Sequence, residues 1–477
     1  MVAVHDPALL AVQPAQLRHA FEMQRHAHAA DPYPSAATRA ARLRRLRTLL
    51  CSNDTAIRDA ISADFGNRAH QETLLFEQFI SIQGIDYARR RLRRWMRTER
   101  RSVSWWSLPG RARLVRQPLG VVGIVVPWNY PLYLAMSPLT GAVAAGNRVM
   151  LKMSEFTPRF GALLESLIAG AFGADEIAVI NGGADVGREF TALPFDHLLF
   201  TGSTAVGREV MKAASANLTP VTLELGGKSP AIVGDGFDVA EAARRIMFGK
   251  LINAGQTCVA PDYALVPGDR VDAFLDACRV VTTEFYPTLA TNPQYTSIID
   301  DRKLRRLTAI LEDAGRRGAQ LHPLHPERTD LERRRLAPVA VTGITDDMRL
   351  MQEELFGPIL PIVSYGAIDE AIAFVNARPR PLALYYFGVR GAELDAVLTQ
   401  TVSGGVTVNN TAFHVLQEDL PFGGVGPSGM GHYHGRAGFD TFSKSKPVFY
   451  DGRVSGSRFL MPPYGRMFRA LTWILYR

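Results

Sequence analysis

Short apolar runs alternate with stretches of helical periodicity from residue 119 onward, and this alternation constrains the fold more than any other feature. The first helical stretches of this alternating series are residues 131–146, 159–172 and 204–217. Strands that alternate with helices form a parallel sheet with helices on its faces. The sequence therefore predicts an α/β fold whose first domain is Rossmann-like, a type that commonly carries nucleotides. Its predicted strands are residues 120–126, 148–152, 177–181, 197–201 and 221–225.

A second alternating series begins with a predicted strand at residues 230–233 and runs to about residue 410, with further predicted strands at 262–266, 359–364 and 384–388. A chain of 477 residues is too long for one ordinary hydrophobic core, so this series predicts a second α/β domain. Residues 102–117 and 441–449 look like strands outside either sheet and predict a small paired β projection for oligomerisation. The expected organisation is a cofactor-binding domain at 1–100 and 119–223, a catalytic domain at 224–410, bridging and oligomerisation segments at 101–118 and 411–450, and a tail at 451–477.

A stretch without charged residues and the net positive charge each suggest an alternative interpretation, a membrane span and an anion-binding surface. No charged residue occurs from residue 117 to 147, as in a membrane span, but Pro127, Pro131 and Pro138 favour a strand, a turn and a buried helix. The net charge is +8, with arginines clustered at 39–47 and 89–101. A nucleic-acid or anionic membrane surface would use such clusters. Leucines at helical spacing favour amphipathic helices with solvated basic faces and no nucleic-acid partner.

The tail mixes apolar residues with arginines from residue 462 to 477. A helix on a membrane surface is one interpretation; packing on a partner subunit or on the parent domain is the favoured one. Residues 1–19 lack the pattern of a secretory signal. Three cysteines are too few for a disulfide framework, and they indicate a reducing environment. We therefore expect a cytoplasmic protein without a transmembrane segment.

One of the three cysteines stands apart from the others. Cys51 and Cys278 fall in amphipathic helices, where a free cysteine packs as a small hydrophobic side chain. Cys258 lies on a loop between a helix and a strand, and it is a candidate nucleophile. A free cysteine has a pKa of about 8.5, so we expect the site of Cys258 to favour the thiolate. Glu224 ends an apolar strand just before two glycines, where apolar neighbours favour the neutral carboxyl and make it a plausible general base. The alternative is that Glu224 only pairs with Lys228.

Polar residues follow several of the predicted strands, at the edge where open α/β sheets bind ligands. Asn129 is a possible oxyanion donor, with the Cys258 N–H as a second donor; the alternative is a helix N-cap ahead of Pro131. The turn at 202–207 follows a strand and opens a helix, as at phosphate sites, although it lacks the dinucleotide glycine spacing. Lys152 and Glu155 suit ribose hydroxyls, or form a solvated pair.

The glycine-dense loop at 423–431 lacks the ending of a phosphate-binding loop. His432 and His434 flank Tyr433, but neither a cysteine nor an acidic cluster joins them. Zinc sites are built from four such ligands or from three with water. We therefore expect no metal site.

Together these motifs resemble the aldehyde dehydrogenase superfamily over nearly the full length. LELGGKSP at 223–230 and GQTC at 255–258 are similar to the family's glutamate and cysteine active-site signatures. Further similar motifs are PWNYP at 127–131, GSTAVG at 202–207, EELFGP at 353–358 and LPFGG at 420–424. GMGHYHG at 429–435 and FDTFS at 439–443 resemble the class 3 branch. Within it, residues 218–230 and 253–263 resemble the bacterial coniferyl aldehyde dehydrogenases.

The resemblance implies NAD(P)-dependent oxidation of an aldehyde to an acid through a thioester. Cys258 would be the nucleophile, Glu224 the base that activates water, and Asn129 the oxyanion donor. Tyr130 and Phe422 would line the aldehyde tunnel. Among the implied cofactor residues, Lys152 and Glu155 would bind the adenosine ribose and Ser203 a phosphate. Glu354 with Phe356 would bind the nicotinamide ribose. The other implied cofactor residues are Pro127, Trp128, Gly202, Val206, Gly207 and Leu225.

The resemblance also implies a homodimer. Glu155 would repel a 2′-phosphate, which favours NAD over NADP, although class 3 enzymes often accept both. Aromatic residues such as Tyr130, Phe413 and Phe422 suit an aryl aldehyde like coniferaldehyde and equally suit a medium-length alkyl chain. Met153 stands where the family usually has proline, which would loosen that turn, and Asn410 replaces a common acid.

Three rival functions use the same residues differently. A cofactor-independent thiol esterase would need Cys258 and Glu224 but no NAD(P). A coenzyme A-acylating enzyme would have no use for a water-activating base, so Glu224 argues against it. A basic scaffold would bind duplex nucleic acid in a salt-dependent way and would not need Cys258.

Overall fold

The structure, a computed structural model, describes residues 14–453, 455 and 461–476. Its α-helices are α1 (Pro14–Ala30), α2 (Ala36–Ser52), α3 (Asp54–Phe65), α4 (His70–Thr73), α5 (Ile80–Trp95), α6 (Tyr133–Ala145), α7 (Pro158–Ala171), α8 (Ala184–Thr191), α9 (Thr204–Ser215), α10 (Val239–Leu251), α11 (Val271–Phe285), α12 (Asp301–Arg316), α13 (Arg349–Gln352), α14 (Ile368–Asn376), α15 (Ala392–Gln400), α16 (Gly435–Thr441) and α17 (Arg466–Leu475). A π-helix spans Leu74–Phe79, and 3-10 turns span Trp105–Ser107, Ile252–Gly255 and Gly268–Arg270.

The strands build three sheets. They are β1 (Glu99–Arg101), β2 (Arg111–Pro118), β3 (Val121–Val125), β4 (Arg148–Lys152), β5 (Ile177–Ile180), β6 (His197–Thr201), β7 (Val221–Glu224), β8 (Pro230–Val233), β9 (Tyr263–Pro267), β10 (Gln320–Pro323), β11 (Val339–Thr342), β12 (Ile359–Tyr365), β13 (Ala383–Phe387), β14 (Gly405–Val408), β15 (Gly429–Met430) and β16 (Ser443–Tyr450).

The first sheet runs in the order β15–β7–β6–β3–β4–β5, and every pair in it is parallel except β15 with β7. All five strands predicted for the Rossmann-like domain are present within one residue of their expected bounds. Strand β3 is apolar along its length because helices cover both faces of a parallel sheet. Its residues Val121, Val122 and Ile124 are buried. The register aligns the carboxyl ends of β3, β4, β6 and β7 along one edge of the sheet.

The second sheet runs in the order β10–β11–β12–β9–β8–β13–β14 and is parallel apart from β10 with β11. The four predicted strands, now β8, β9, β12 and β13, lie at its centre. The sequence did not predict β10, β11 and β14, each of only four residues; in β10 and β14, exposed positions leave little apolar pattern. The α/β class with two parallel sheets is thus confirmed, whereas the exact domain boundaries stay a prediction.

The third sheet, β1–β2–β16, is antiparallel and separate from the other two, as the predicted β projection requires. Its bounds differ from the prediction, since residues 102–110 are not a strand. Pro109 has no N–H to donate to a strand ladder, and Gly110 N instead donates to the Ser107 carbonyl in a turn.

The charge-free stretch contains β3 and the buried helix α6, as predicted. Among the described helices, none combines the length and apolar character of a membrane span.

The first arginine cluster is only partly solvated. On α2, Leu43, Leu46, Leu49 and Leu50 are buried as predicted, but Arg39 and Arg42 are buried too. Arg39 donates to the Ala144 and Ala145 carbonyls at 3.2 and 2.6 Å, which lack partners at the end of α6. Arg42 pairs with Glu176 at 2.7 Å. The expectation of a solvated basic face is therefore wrong for these two arginines.

Two further expectations meet different outcomes. Cys278 is buried, as predicted, but Cys51 is exposed, because it lies on the solvent side near the end of α2. The prediction that Cys51 packs in a core is therefore wrong.

In the tail, Tyr464, Met467 and Ile474 are exposed. These side chains do not pack on the parent domain, and packing on a partner subunit stays a prediction.

Candidate active site

The carboxyl edge of the first sheet gathers the predicted site residues. Glu224 is the last residue of β7, and its backbone carbonyl accepts from Gly202 N at 3.0 Å. Asn129 follows β3 in the asparagine loop, residues 127–131. Its side chain caps no helix: α6 begins at Tyr133, and Asn129 Nδ2 donates to the Gln256 carbonyl at 3.2 Å. The N-cap alternative for Asn129 is therefore wrong.

The second element is the cysteine loop, residues 253–258, which leaves α10 through a tight turn. Asn253, Ala254 and Gly255 all have positive φ values, at 52°, 52° and 76°. A Cβ on Gly255 would lie 2.5 Å from the Gly357 carbonyl oxygen, so only glycine fits. This turn reverses the chain at the end of the helix and brings Cys258 to the sheet edge.

Hydrogen bonds join the two loops. Asn253 Nδ2 donates to the Asn129 carbonyl at 3.0 Å and to the Gln256 carbonyl at 3.2 Å. An amide has two N–H groups, so Asn129 keeps one that the Gln256 carbonyl does not use. The loops that carry the predicted oxyanion donor and the predicted nucleophile are thus held together.

Cys258 lies where two cavities meet. The larger has a volume of about 720 Å³ and is lined by Pro127, Trp128, Asn129, Leu134, Thr201, Gly202, Ser203, Ala205, Glu224, Leu225, Gly226, Cys258, Arg302, Lys303, Arg306, Leu307, Glu353, Glu354, Phe356, Leu382, Phe422 and Tyr433. The smaller, of about 80 Å³, is mainly apolar and is lined by Phe76, Ile80, Tyr130, Tyr133, Leu134, Phe248, Gly249, Ile252, Thr257, Cys258, Val259, Thr411, Ala412, Phe413, Val415, Leu416 and Phe422. Leu134, Cys258 and Phe422 line both.

Glu224 is a buried acid without a counterion. It is 2% exposed, and among the described residues its carboxyl oxygens have no hydrogen-bond partner. Burial raises its pKa well above the ordinary value. Lys228 instead pairs with Asp262 and donates to the Leu350 carbonyl at 2.8 Å, so the alternative of a Glu224–Lys228 pair is wrong.

Cys258 is held as a neutral thiol. Burial raises its pKa to about 12, and the Glu354 and Glu224 carboxylates add to the effect. The N–H groups of Cys258 and Val259 act in the opposite direction. We expected a site that favours the thiolate, and that expectation is wrong for the unliganded protein, because no cationic side chain among the described residues lowers the pKa of Cys258 to offset burial.

The nucleotide-sized cavity has a helix N-terminus at one end. Ser203 caps α9 by accepting from Val206 N at 3.4 Å, directly after Gly202. Val206 and Gly207 lie on the first turn of α9 and do not line this cavity. The arrangement of strand, glycine turn and helix is the one inferred from the sequence, and it presents backbone N–H groups to an anion.

The predicted ribose pair sits at the end of β4, outside the residues that line the cavity. Lys152 is buried, its Nζ donates to the Met153 and Gly182 carbonyls at 2.7 and 2.6 Å, and burial lowers its pKa to about 8. An ammonium has three N–H groups, so one is left for a ligand. Glu155 is exposed.

Glu354 and Phe356 reach the opposite wall of the large cavity. Phe356 packs edge-on against Trp128 with ring centroids 5.4 Å apart. A Cβ on Gly226 would lie 2.0 Å from Glu354 Oε2, so the glycine permits a close approach. Burial and the nearby Asp262 raise the pKa of Glu354 to about 8, while the Gly227 N–H opposes this.

Comparison with known proteins agrees with this geometry. The model of the aldehyde dehydrogenase family matches residues 8–448. The chain belongs to the aldehyde dehydrogenase family. The probable coniferyl aldehyde dehydrogenase of Pseudomonas aeruginosa is 54% identical, over 97% of this chain and 96% of its own. The resemblance inferred from the motifs is thus confirmed.

Solved structures agree as well. The substrate-bound AldH of Staphylococcus aureus superimposes with a TM-score of 0.91 at 37% identity, covering 96% of this chain and 99% of that one. The Mycobacterium tuberculosis aldehyde dehydrogenase complexed with NAD⁺ gives a TM-score of 0.83 at 29% identity, covering 93% and 92%. The fold of this aldehyde dehydrogenase is therefore that of its family.

Sequence reasoning missed a cationic wall of the large cavity. Arg302, Lys303 and Arg306 come from the start of α12. Lys303 Nζ lies 4.9 Å from the centre of the Trp128 ring, and Arg306 donates to the Glu354 and Leu355 carbonyls at 2.5 and 3.0 Å. The basic run at 302–306 was the available signal. The sequence also missed Phe76 and Phe248, because they come from distant helices.

The departures from the family pattern do not disturb the site. Met153 N donates to the Ile180 carbonyl at 3.0 Å, a bond that proline cannot make. The expectation of a looser turn is therefore wrong. Asn410 Oδ1 accepts from Thr411 N at 2.8 Å. His434 bonds the Tyr133 hydroxyl at 3.0 Å and is buried, and the described residues contain no cluster of metal-binding side chains.

Proposed function

We propose that this aldehyde dehydrogenase oxidises an aldehyde to a carboxylic acid with NAD, through a thioester on Cys258. The observation that carries the proposal is the position of Cys258 at the junction of a nucleotide-sized cavity and an apolar cavity. A nucleophile between two binding sites can meet both a cofactor and a substrate. Glu224, a buried acid with no hydrogen-bond partner among the described residues, lines the larger of the two cavities together with Cys258.

In the first step the Cys258 sulfur bonds to the aldehyde carbon, and the carbonyl oxygen becomes an oxyanion. The second N–H of Asn129 and the N–H of Cys258 are the proposed donors to it. Because the unliganded site raises the pKa of Cys258, the thiol proton must pass to water as the bond forms or after a cation binds nearby. The oxidised nicotinamide ring is such a cation.

The large cavity suits a dinucleotide. The N-terminus of α9, with Gly202 and Ser203, offers donors for phosphate, and the cations of α12 suit the same negative charge. Lys152 and Glu155 would hold the adenosine ribose, and Glu354 would hold the nicotinamide ribose. Further contacts are proposed for Pro127, Trp128, Val206, Gly207, Leu225 and Phe356. When bound there, NAD would supply the hydride acceptor, and loss of hydride from the former aldehyde carbon would leave a thioester on Cys258.

Hydrolysis completes the cycle. The Glu224 carboxylate removes a proton from a water molecule, and the water oxygen attacks the thioester carbon. The C–S bond then breaks, the acid leaves, and the proton held by Glu224 passes to the sulfur. The buried Glu224 carboxyl has no competing partner among the described residues, so it is available to the water. A base in this position argues for hydrolysis and against transfer to coenzyme A.

For the cofactor we propose NAD with weaker use of NADP. Glu155 is exposed at the end of β4, and its carboxylate would repel a 2′-phosphate. The structural relative from Mycobacterium tuberculosis is described as complexed with NAD⁺.

For the substrate we propose an aryl aldehyde like coniferaldehyde. Tyr130, Phe76, Phe248, Phe413 and Phe422 line the small cavity, and flat aromatic rings stack on such side chains. The relative from Pseudomonas aeruginosa is named for coniferyl aldehyde. A medium-chain alkyl aldehyde is the second candidate, because apolar walls discriminate weakly between apolar groups.

For the assembly we propose a homodimer that uses the β projection. Trp105, Trp106, Leu108, Phe449 and Tyr450 are large apolar residues that lie exposed on this projection or at its turn. Association of two copies would cover part of this surface.

The test measures reduced-cofactor formation with coniferaldehyde, benzaldehyde and hexanal, using NAD and NADP separately. Wild type and Cys258→Ala are compared, with Cys278→Ala as a matched control. We expect NAD reduction that is lost only in Cys258→Ala and is highest with an aryl aldehyde. Ester hydrolysis without any cofactor reduction would instead favour the thiol esterase, and activity in Cys258→Ala would contradict the thioester.

A further inference from the structure

Two buried acids lie five residues apart, at a place where the helix changes type. Glu72 lies in α4 and Glu77 in the following π-helix, and both are buried, whereas Leu75 and Phe79 are exposed. In an α-helix, residues five apart point about 140° away from each other. A π-helix has i to i+5 hydrogen bonds and brings such residues to one side. The π-helix thus turns both carboxyls inward.

Glu77 and Arg68 contact the asparagine loop. Arg68 Nη1 lies 2.9 Å from Glu77 Oε1, and both side chains are fully buried. The same Nη1 donates to the Asn129 carbonyl at 2.8 Å. Glu77 Oε2 accepts from Leu132 N at 2.8 Å and from Tyr133 N at 3.2 Å. The ion pair therefore binds the loop that carries Asn129 and the first N–H groups of α6.

Glu72 contacts the cysteine loop. Its Oε2 accepts from Asn253 N at 3.0 Å and from the Thr296 hydroxyl at 3.4 Å. Asn253 has a positive φ, a conformation that asparagine adopts at a cost unless its surroundings hold it. Asn253 in turn donates to the Asn129 carbonyl, so the Asn129 carbonyl receives hydrogen bonds from both sides.

We propose that Arg68, Glu72 and Glu77 are positioning residues that hold the asparagine loop and the cysteine loop in register. The cluster fixes the separation between the Asn129 amide and the Cys258 sulfur without lining the large cavity. This inference rests on the proposed function, in which those two groups act on one substrate. A displacement of about 1 Å of a reacting group can cost a factor of roughly 100 in rate.

The cluster also reaches the substrate side. The Arg68 guanidinium lies 4.6 Å from the centre of the Tyr130 ring, and Tyr130 lines the apolar cavity. The Tyr130 hydroxyl bonds the Thr257 hydroxyl at 2.9 Å, next to Cys258. Loss of Arg68 would therefore disturb both loops, while the cations and the α9 terminus on the nucleotide side stay in place.

The experiment separates positioning from burial of charge. The variants are Arg68→Met, Glu77→Gln, the double variant Arg68→Met with Glu77→Gln, and Glu72→Gln. Glu176→Gln is the matched control, because Glu176 forms an ion pair with buried Arg42 elsewhere in the first domain. Each is assayed for kcat, KM for NAD, thermal midpoint and the rate of Cys258 alkylation by iodoacetamide.

We expect each single cluster variant to lower kcat roughly 10- to 100-fold with an unchanged KM for NAD. Arg68→Met and Glu77→Gln also leave one buried charge unpaired and lower the thermal midpoint. The double variant removes both charges and keeps an acceptor for Leu132 N, so its midpoint recovers, but its kcat stays low. Glu72→Gln alters the alkylation rate of Cys258, and Glu176→Gln lowers stability alone.

Recovery of kcat together with the thermal midpoint in the double variant would overturn the proposal, since the unpaired buried charge would then explain the loss of activity as well as the loss of stability. So would an equal fall in kcat for Glu176→Gln. If wild type reduces no cofactor with any aldehyde, the proposed function fails. The alkylation rate then still tests the cluster, and unchanged alkylation in all cluster variants would overturn it separately.

Discussion

Replacement of Glu224 by glutamine separates the two half-reactions. Both carboxyl oxygens are buried without a hydrogen-bond partner among the described residues, and burial raises the pKa. Burial thus favours the neutral carboxyl over the carboxylate in the unliganded protein. A neutral amide of the same shape replaces it without breaking an ion pair, so below pH 4.5, where the carboxyl is neutral in the folded and the unfolded chain, the free energy of unfolding should change by less than about 1 kcal/mol.

The loss of activity should be large and confined to hydrolysis. A positioned general base contributes roughly 10²- to 10⁴-fold to a rate, which corresponds to about 3–5 kcal/mol in the barrier. Formation of the thioester does not need water, so its rate should stay within about tenfold of wild type on the same scale. Glu224→Gln should therefore reduce one NAD for each active site and then stop.

Rapid mixing of enzyme, NAD and aldehyde measures this directly as absorbance of the reduced cofactor. The expected trace is a burst equal to the enzyme concentration, followed by a steady rate at least ~100-fold below wild type. Glu176→Gln serves as a control that leaves the site intact. Steady turnover of Glu224→Gln at the wild-type rate would refute the role of Glu224. Loss of the burst itself would move Glu224 to an earlier step.

The remaining predictions address acid–base behaviour, the oxyanion, the cofactor and stability. Because folding raises the pKa of Glu224 above its ordinary value of 4.5, wild type should lose stability relative to Glu224→Gln as pH rises above that value, measured by thermal midpoints from pH 4 to 9. Asn129→Ala should lower kcat about 10²- to 10³-fold, and an unchanged kcat would remove it from the oxyanion site. Glu155→Gln should raise kcat/KM for NADP relative to NAD, and an unaltered ratio would argue against repulsion. Arg39→Met should lower the free energy of unfolding by about 2–5 kcal/mol in urea, because the carbonyls at the end of α6 lose their donors.

The sequence predicted the first sheet and the residues at its carboxyl edge well, because neighbouring residues in the sequence indicate both. Glu224 stands where an apolar run meets two glycines, so the strand end and the acid could be read together. Asn129 and Gly202 follow strands in the same way. Cys258 was singled out by its loop, since Cys278 lies on the buried face of α11.

Several misses depend on contacts between distant segments. Arg39 looks like a surface residue of an amphipathic helix, and only the unpartnered carbonyls at the end of α6 explain its burial. The two residues of β15 carry no strand pattern and pair with β7 because the chain returns there. Arg68 contacts Asn129, 61 residues away in the sequence. The neutral state of Cys258 likewise follows from burial and from Glu354, neither of which is visible in the sequence.

The thioester at Cys258 is the central step of the proposed function, and its most direct test is the mass of the trapped intermediate. Glu224→Gln is mixed with NAD and coniferaldehyde, quenched in acid and digested, and the masses of the peptides that carry Cys51, Cys258 and Cys278 are measured. We expect the acyl mass on the Cys258 peptide only, and only when NAD is present. Acylation of exposed Cys51 instead, or no adduct on any of the three while NAD is still reduced, would contradict it.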